Sequence, residues 1–167
     1  HSPLVVQSAD KVNLILLQRE KDGVQISNLT NTTFVAVQSV VVSQNELFVV
    51  DTRNPFFKGV LSNPKLFVFN LENDSLTQTY TLPNDVFFKD SYINDVRIDR
   101  KNKVAYFTDS GHAGLLILNL ENGTFKRVLT DHVSTTAETD HLTINGKQWV
   151  NTVHSDGIAL NQIDDTL

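Results

Sequence analysis

Two carboxylates and a carboxamide are the first residues in this sequence with chemistry to offer: Asp95, Asp156 and Asn94. Oxygen donors of these kinds suit a hard cation such as Ca2+, which gathers several ligands from carboxylates, carboxamides and backbone carbonyls. The same residue types also cap turns and accept hydrogen bonds from backbone amides where strands begin. Asp109 and His112 fall in the run Asp109-Ser110-Gly111-His112, and a histidine there can serve as base or ligand near neutral pH. A solvated loop histidine is the plainer alternative. Ser155 stands directly before Asp156. Phe56 and Phe57 lie in the segment Asn54–Asn63 (NPFFKGVLSN), where aromatic rings either wall a ligand pocket or pack on the fold beneath them. His132, His141 and His154 have weaker cases. The chain carries no Gly-x-Ser-x-Gly, no phosphate loop and no His-Glu-x-x-His, so no residue is assigned a catalytic role.

Composition narrows the setting for these groups. With 40% hydrophobic and 20% charged residues, the 167-residue chain can bury a real core and is not disordered. A net charge of −5 argues against a nucleic-acid surface, which needs clustered Lys and Arg. No apolar run reaches the ~18 residues of a membrane helix, so no membrane partner is expected. Cysteine is absent, which removes disulfides and thiolate metal sites without fixing a compartment. Methionine is absent too, so His1 is expected not to be the translational start.

The elements that must position these residues are strands. Asn13–Gln18, Val40–Ser43, Leu47–Asp51, Lys65–Leu71, Val96–Asp99, Val104–Asp109 and Leu115–Leu120 are short, rich in Val, Ile, Leu and Phe, and punctuated by turn residues. An internal repeat decides their arrangement. Leu66–Asp74 (LFVFNLEND) aligns with Leu115–Gly123 (LLILNLENG) at an offset of 49, and Leu47–Thr52 (LFVVDT) aligns with Ala105–Ser110 (AYFTDS) at an offset of 58. The difference is an insertion just after Asp51-Thr52. Asn13–Gly23 is a fainter third copy, and the Asp22-Gly23, Asn73-Asp74 and Asn122-Gly123 dipeptides mark hairpin turns.

A period near ~50 residues with four strands per unit fits an all-β propeller built from blades. Residues 13–30 form an outer hairpin, 38–82 one blade and 94–130 another, and 156–162 open a further blade. Inner strands are expected near 38–43, 94–99 and 156–160. The stretches 83–93 and 131–154 are expected as inter-blade loops. Gln38-Ser39, Asn94-Asp95 and Ser155-Asp156 then start inner strands at one channel mouth, where Asp51-Thr52 and Asp109-Ser110 end the next strands. The repetition of these last two pairs favours a structural role. Such an open arc does not close on itself, so further blades are expected, from more chain or by self-association.

The repeat contents resemble the yellow / major royal jelly protein family. Ser91–Gly111 (SYINDVRIDRKNKVAYFTDSG), Glu46–Thr52, Pro64–Leu71, Arg127–Thr130, Ser134–Glu138 and Ser155–Leu160 carry the resemblance, in family order, over residues 38–162. Arg53 departs from the pattern, since the family often has Gly there. The resemblance implies a six-bladed propeller, secreted or periplasmic, that binds a small molecule at its channel mouth. It also implies a distant relation to the calcium-dependent gluconolactonase / SMP-30 propellers, and with it the alternative of a lactonase-type hydrolase. In that alternative Asn94, Asp95 and Asp156 are metal ligands, while the additional Glu of those enzymes has no counterpart here. A third possibility is an interaction protein with inert sites. Four Asn-x-Ser/Thr sequons, at Asn28, Asn31, Asn73 and Asn122, are compatible with export.

Overall fold

Strand-forming runs broken by polar turns fold here as antiparallel meanders. The computed structural model describes residues 34–161. The first sheet contains β1 (Val37–Ser43), β2 (Glu46–Asp51), β3 (Lys65–Asn70) and β4 (Leu76–Thr81). The second contains β5 (Ile93–Asp99), β6 (Val104–Asp109), β7 (Gly114–Asn119) and β8 (Phe125–Val128). Each sheet keeps its strands in chain order and pairs every neighbour antiparallel. Apart from a short 3-10 turn at Pro55–Phe57, no helix occurs among the described residues, so the all-β expectation holds. The expected hairpin at 13–30 lies outside the described residues.

The two sheets stack face to face. Phe48, Val50, Leu66 and Val68 of the first pack against Val96, Ile98, Ala105, Phe107, Leu116 and Leu118 of the second. Strand residues alternate between faces, so Leu47, Val49, Phe67 and Phe69 point the other way, into a second apolar cluster with Phe34 and Val37. Arg100, in the β5–β6 turn, clamps the stack from one end. Its Nε donates to Ser43 Oγ (2.9 Å), Nη2 to Ser43 O (2.7 Å) and Nη1 to Glu46 Oε2 (2.6 Å), and the guanidinium lies over the Phe48 ring. At the same end, a cleft of about 360 Å3 opens between the sheets, floored by Phe48 and Val68.

Three details differ from the sequence reading. The dipeptides Asn73-Asp74 and Asn122-Gly123 do not form two-residue turns. Asn70 N donates to Ser75 O and Asn119 N to Thr124 O, which makes the loops longer. Only Asp74 (φ 55°) and Gly123 (φ 73°) are left-handed, while Asn73 and Asn122 each accept from the amide and hydroxyl two residues on. The stretch 131–154 is not all loop, because it contains the hairpin β9 (His141–Ile144) and β10 (Lys147–Val150). Asn145 (φ 50°) and Gly146 (φ 76°) supply the two positive φ values of a tight turn between its strands. Finally, residues 156–160, expected as an inner strand, are not in a strand; the segment is held beside β5 and β6 by side-chain bonds, with Thr108 Oγ1 donating to Asp156 O and Ile158 N to Asp95 Oδ2 (3.3 Å).

Candidate functional site

The ends of β2 and β6 show why the repeat keeps an aspartate there. Asp51 and Asp109 are both fully buried. Asp51 Oδ1 accepts from Ala36 N (2.9 Å) and Oδ2 from Val35 N (3.1 Å), and Arg53 Nε lies 3.2 Å from Oδ2. Asp109 Oδ1 accepts from Tyr92 N (2.7 Å), Gly111 N (3.1 Å) and His112 N (3.0 Å), and Oδ2 from Arg127 Nη1 (2.9 Å). Each carboxylate thus ties the strand end to the chain entering the same sheet. Asp109 stood among the ligand candidates although its recurrence favoured a structural role; with both oxygens occupied and no exposure, it holds the mouth together. Arg53 takes φ 53°, the left-handed conformation that explains a glycine preference at that position.

Thr52 and Ser110, one position further on, bond each strand end to a later part of the chain. Thr52 Oγ1 accepts from Ile93 N (2.8 Å), and Ser110 Oγ donates to Ser155 O (2.9 Å). Ser155 Oγ donates to the carbonyls of Asp109 (3.2 Å) and Gly114 (3.0 Å), so it pins the last described segment rather than facing a ligand.

The starts of β1 and β5 meet side by side, and there the structure brings together Asn94, Asp95 and Asp156. Asn94 Nδ2 donates to Ser110 Oγ (2.7 Å) and to Asp156 Oδ1, while its Oδ1 accepts from Gln38 Nε2 (3.1 Å). Gln38 Oε1 accepts in turn from Tyr92 OH (2.5 Å). Tyr92 stacks on Phe57, with ring centroids 3.7 Å apart and planes 8° apart. A continuous polar chain therefore runs Tyr92, Gln38, Asn94, Asp156 across the mouth, with an aromatic pair at one end and an exposed carboxylate at the other. Burial first, and the Asp156 charge second, push the Tyr92 hydroxyl above its ordinary pKa, so it stays a donor at neutral pH.

Asp95 sits beside this chain but is already satisfied. Its Oδ1 accepts from Ser39 Oγ (2.9 Å), Val96 N (2.8 Å) and Arg97 Nη1 (2.8 Å), and its Oδ2 from Ile158 N (3.3 Å). Burial alone would raise its pKa, but the bonds from Ser39, Val96, Arg97 and Ile158 outweigh it and hold the carboxyl below the ordinary aspartate range. This donor set does not fit Ca2+: a cation at Asp95 would have to compete with a guanidinium and three other donors for the same two oxygens. Among the described residues no group of three His, Cys, Asp or Glu side chains is placed to hold a metal ion.

The lowered pKa gives a signed prediction. Ionisation of Asp95 favours the folded state, so its contribution is complete above the unfolded pKa near ~3.9 and is lost as pH falls through the folded value. Urea unfolding of the parent and Asp95→Asn should differ at neutral pH, and the gap should close in acid. A gap that stays constant into acid would show that the charge of Asp95 contributes nothing.

His112 belongs to a separate cluster on the outer loops. Its ring stacks on Phe88 (3.8 Å), Nδ1 lies 3.2 Å from Asp90 Oδ1, and Nε2 lies 3.8 Å from Asp131 Oδ1. None of these contacts reaches Asn94 or Asp156. Phe56 is 58% exposed at the tip of the inserted loop, with Lys58 Nζ over its ring. Gln38 and Ser110, which the sequence places at the mouth without a ligand role, and Tyr92, which it does not single out, complete the site. Position was the available signal, since each adjoins an inner-strand start or a second-strand end.

Two four-stranded meanders stacked about their inner strands, with polar groups gathered where those strands begin, define a β-propeller. Residues 35–166 match the family described as major royal jelly protein, and the chain belongs to that family. No curated protein matches the chain significantly. No helix of the described residues is long and apolar enough to cross a membrane.

Proposed function

We propose that the chain contributes to a small-molecule binding mouth in an exported, secreted or periplasmic, yellow-like propeller, acting by binding and not by catalysis. The polar chain Tyr92–Gln38–Asn94–Asp156 carries this reading. It places a carboxylate, two carboxamides and a phenol along one surface next to aromatic faces, the mixture by which pockets orient small ligands. The hydroxyls at the mouth are not activated: Ser39 donates to Asp95, Ser110 to Ser155 O, and neither bonds an imidazole. Export rests on family membership alone. The lactonase alternative requires a cation at Asp95, where Arg97 already stands.

A thermal-shift screen of small molecules, followed by calorimetric titration, tests the reading. Asn94→Leu leaves Gln38 and Asp156 without their shared partner, and a hit bound at the mouth should weaken by roughly tenfold or more. A hit that binds Asn94→Leu and Asp156→Asn as well as the parent sits elsewhere, for instance in the cleft at the opposite end of the sheets, and the proposal fails.

A further inference from the structure

The inserted loop that distinguishes the first repeat from the second is built on a rigid base with a strained tip. Asn54 is fully buried; its Nδ2 donates to Ser91 O (2.9 Å) and its Oδ1 accepts from Gly59 N (2.8 Å). Val60 N donates to Lys89 O (2.8 Å) and Leu61 N to Arg53 O (2.9 Å), which fastens the loop across the boundary between the two sheets. At the tip, Phe56 and Phe57 both have φ 57°. Consecutive bulky side chains in the left-handed region are true outliers, and such strain persists where the surroundings impose it, often at ligand clamps and switches.

The strained backbone delivers one thing: the Phe57 ring, laid almost flat on Tyr92 at 3.7 Å. Aromatic side chains more often meet edge-on or offset; a parallel ring at this distance is how a flat ligand would lie. Phe57 stays 40% exposed, so the contact does not build core. The other end of Tyr92 is fixed by its hydroxyl on Gln38, within the polar chain of the mouth.

We infer that Phe57 is a built-in plug: it occupies the stacking place over Tyr92, and a ligand with a flat face binds there by displacing it. This rests on the mouth-binding reading above and adds a regulatory step to it. Displacement lets the tip leave its left-handed conformation, so part of the strain assists opening. A mouth that is open only a fraction of the time binds with an affinity reduced by that fraction, and removing the plug restores it.

The experiment is calorimetric titration of indole, a neutral flat probe, into the parent chain, Phe57→Ala, Tyr92→Leu and Asn94→Leu. If the plug is closed about nine-tenths of the time, Phe57→Ala binds indole about tenfold tighter than the parent. Tyr92→Leu should abolish binding in either background, because the platform itself is gone. Weaker or unchanged binding by Phe57→Ala overturns the plug and makes Phe57 a wall or a bystander. No indole binding by Phe57→Ala overturns it as well. If Tyr92→Leu and Asn94→Leu both leave indole affinity intact, the mouth reading itself has failed. Because Phe57 is partly exposed, circular dichroism of Phe57→Ala should match the parent, which separates the plug from a folding defect.

Discussion

Asp109→Ala is expected to leave the chain barely able to fold. The residue is fully buried and accepts four hydrogen bonds, three from backbone amides and one from Arg127. Arg127 is 7% exposed and also donates to the carbonyls of His112 (2.6 Å), Ala113 (3.3 Å) and Val86 (3.3 Å). Removing the carboxylate orphans three amides and leaves a buried guanidinium without its counter-charge. Breaking a buried pair by deleting one partner destabilises by about 3–5 kcal/mol, against a total of about 5–15 kcal/mol for a domain. Urea unfolding followed by circular dichroism should show the midpoint collapse. Asp109→Asn separates the two contributions, since it keeps one acceptor oxygen for the amides but loses the charge facing Arg127. A midpoint for Asp109→Ala close to the parent would contradict the structural role assigned here.

Much of this knot was legible in the sequence as a repeat. Asp51-Thr52 and Asp109-Ser110 recur at the same point of two units, and recurrence points to a bond that every blade needs. What the repeat could not convey was the partners. Arg53 is two residues from Asp51, whereas Arg127 reaches Asp109 from β8, so equivalent aspartates recruit cations by different routes. Which apolar residue faces which cluster was not legible: β2 and β3 are continuous apolar runs because both their faces are buried, and the period of two sends Phe48 and Leu66 to one side and Leu47 and Phe67 to the other.

The mouth was legible by topology and less so by chemistry. Placing Asn94, Asp95 and Asp156 together required only that inner strands begin at one end. Whether each oxygen was free depended on Ser39, Arg97 and Ile158, whose approach to Asp95 is a matter of side-chain direction that no motif encodes. The aromatic loop posed the same problem. Both a pocket wall and a packed cap suit Phe56 and Phe57, and only the left-handed backbone sends one ring outward and the other onto Tyr92. The hairpin of β9 and β10, by contrast, had a plain signal in Asn145-Gly146, a dipeptide favoured in tight hairpin turns. The repeat period does not reveal it, because that hairpin has no counterpart in the other unit.

Gly111→Ala should do damage out of proportion to one methyl group, and at the mouth in particular. A Cβ at this position would fall 2.0 Å from Asp90 O and 2.8 Å from Tyr92 N, both backbone atoms of the chain entering β5. Backbone cannot swing aside as a side chain can, so the loop 90–92 or the turn after β6 has to move. Either shift strains bonds that Asp109 makes to both, since its Oδ1 accepts from Tyr92 N and from Gly111 N itself. Overpacking a tight contact usually destabilises by about 1–3 kcal/mol, and the loss here should reach the upper end because the neighbours are main chain. The functional consequence comes through Tyr92. Its ring carries Phe57 and its hydroxyl begins the polar chain to Asn94, so displacement of its backbone misaligns the mouth even in molecules that remain folded. Gly111→Ala should therefore lose affinity for a mouth ligand at temperatures well below its own unfolding. Calorimetric titration set beside the unfolding curve of the same preparation checks this. Full affinity together with a parental midpoint would mean that the turn has slack, and that the close approach of Gly111 to the β5 entry does not hold Tyr92 in place.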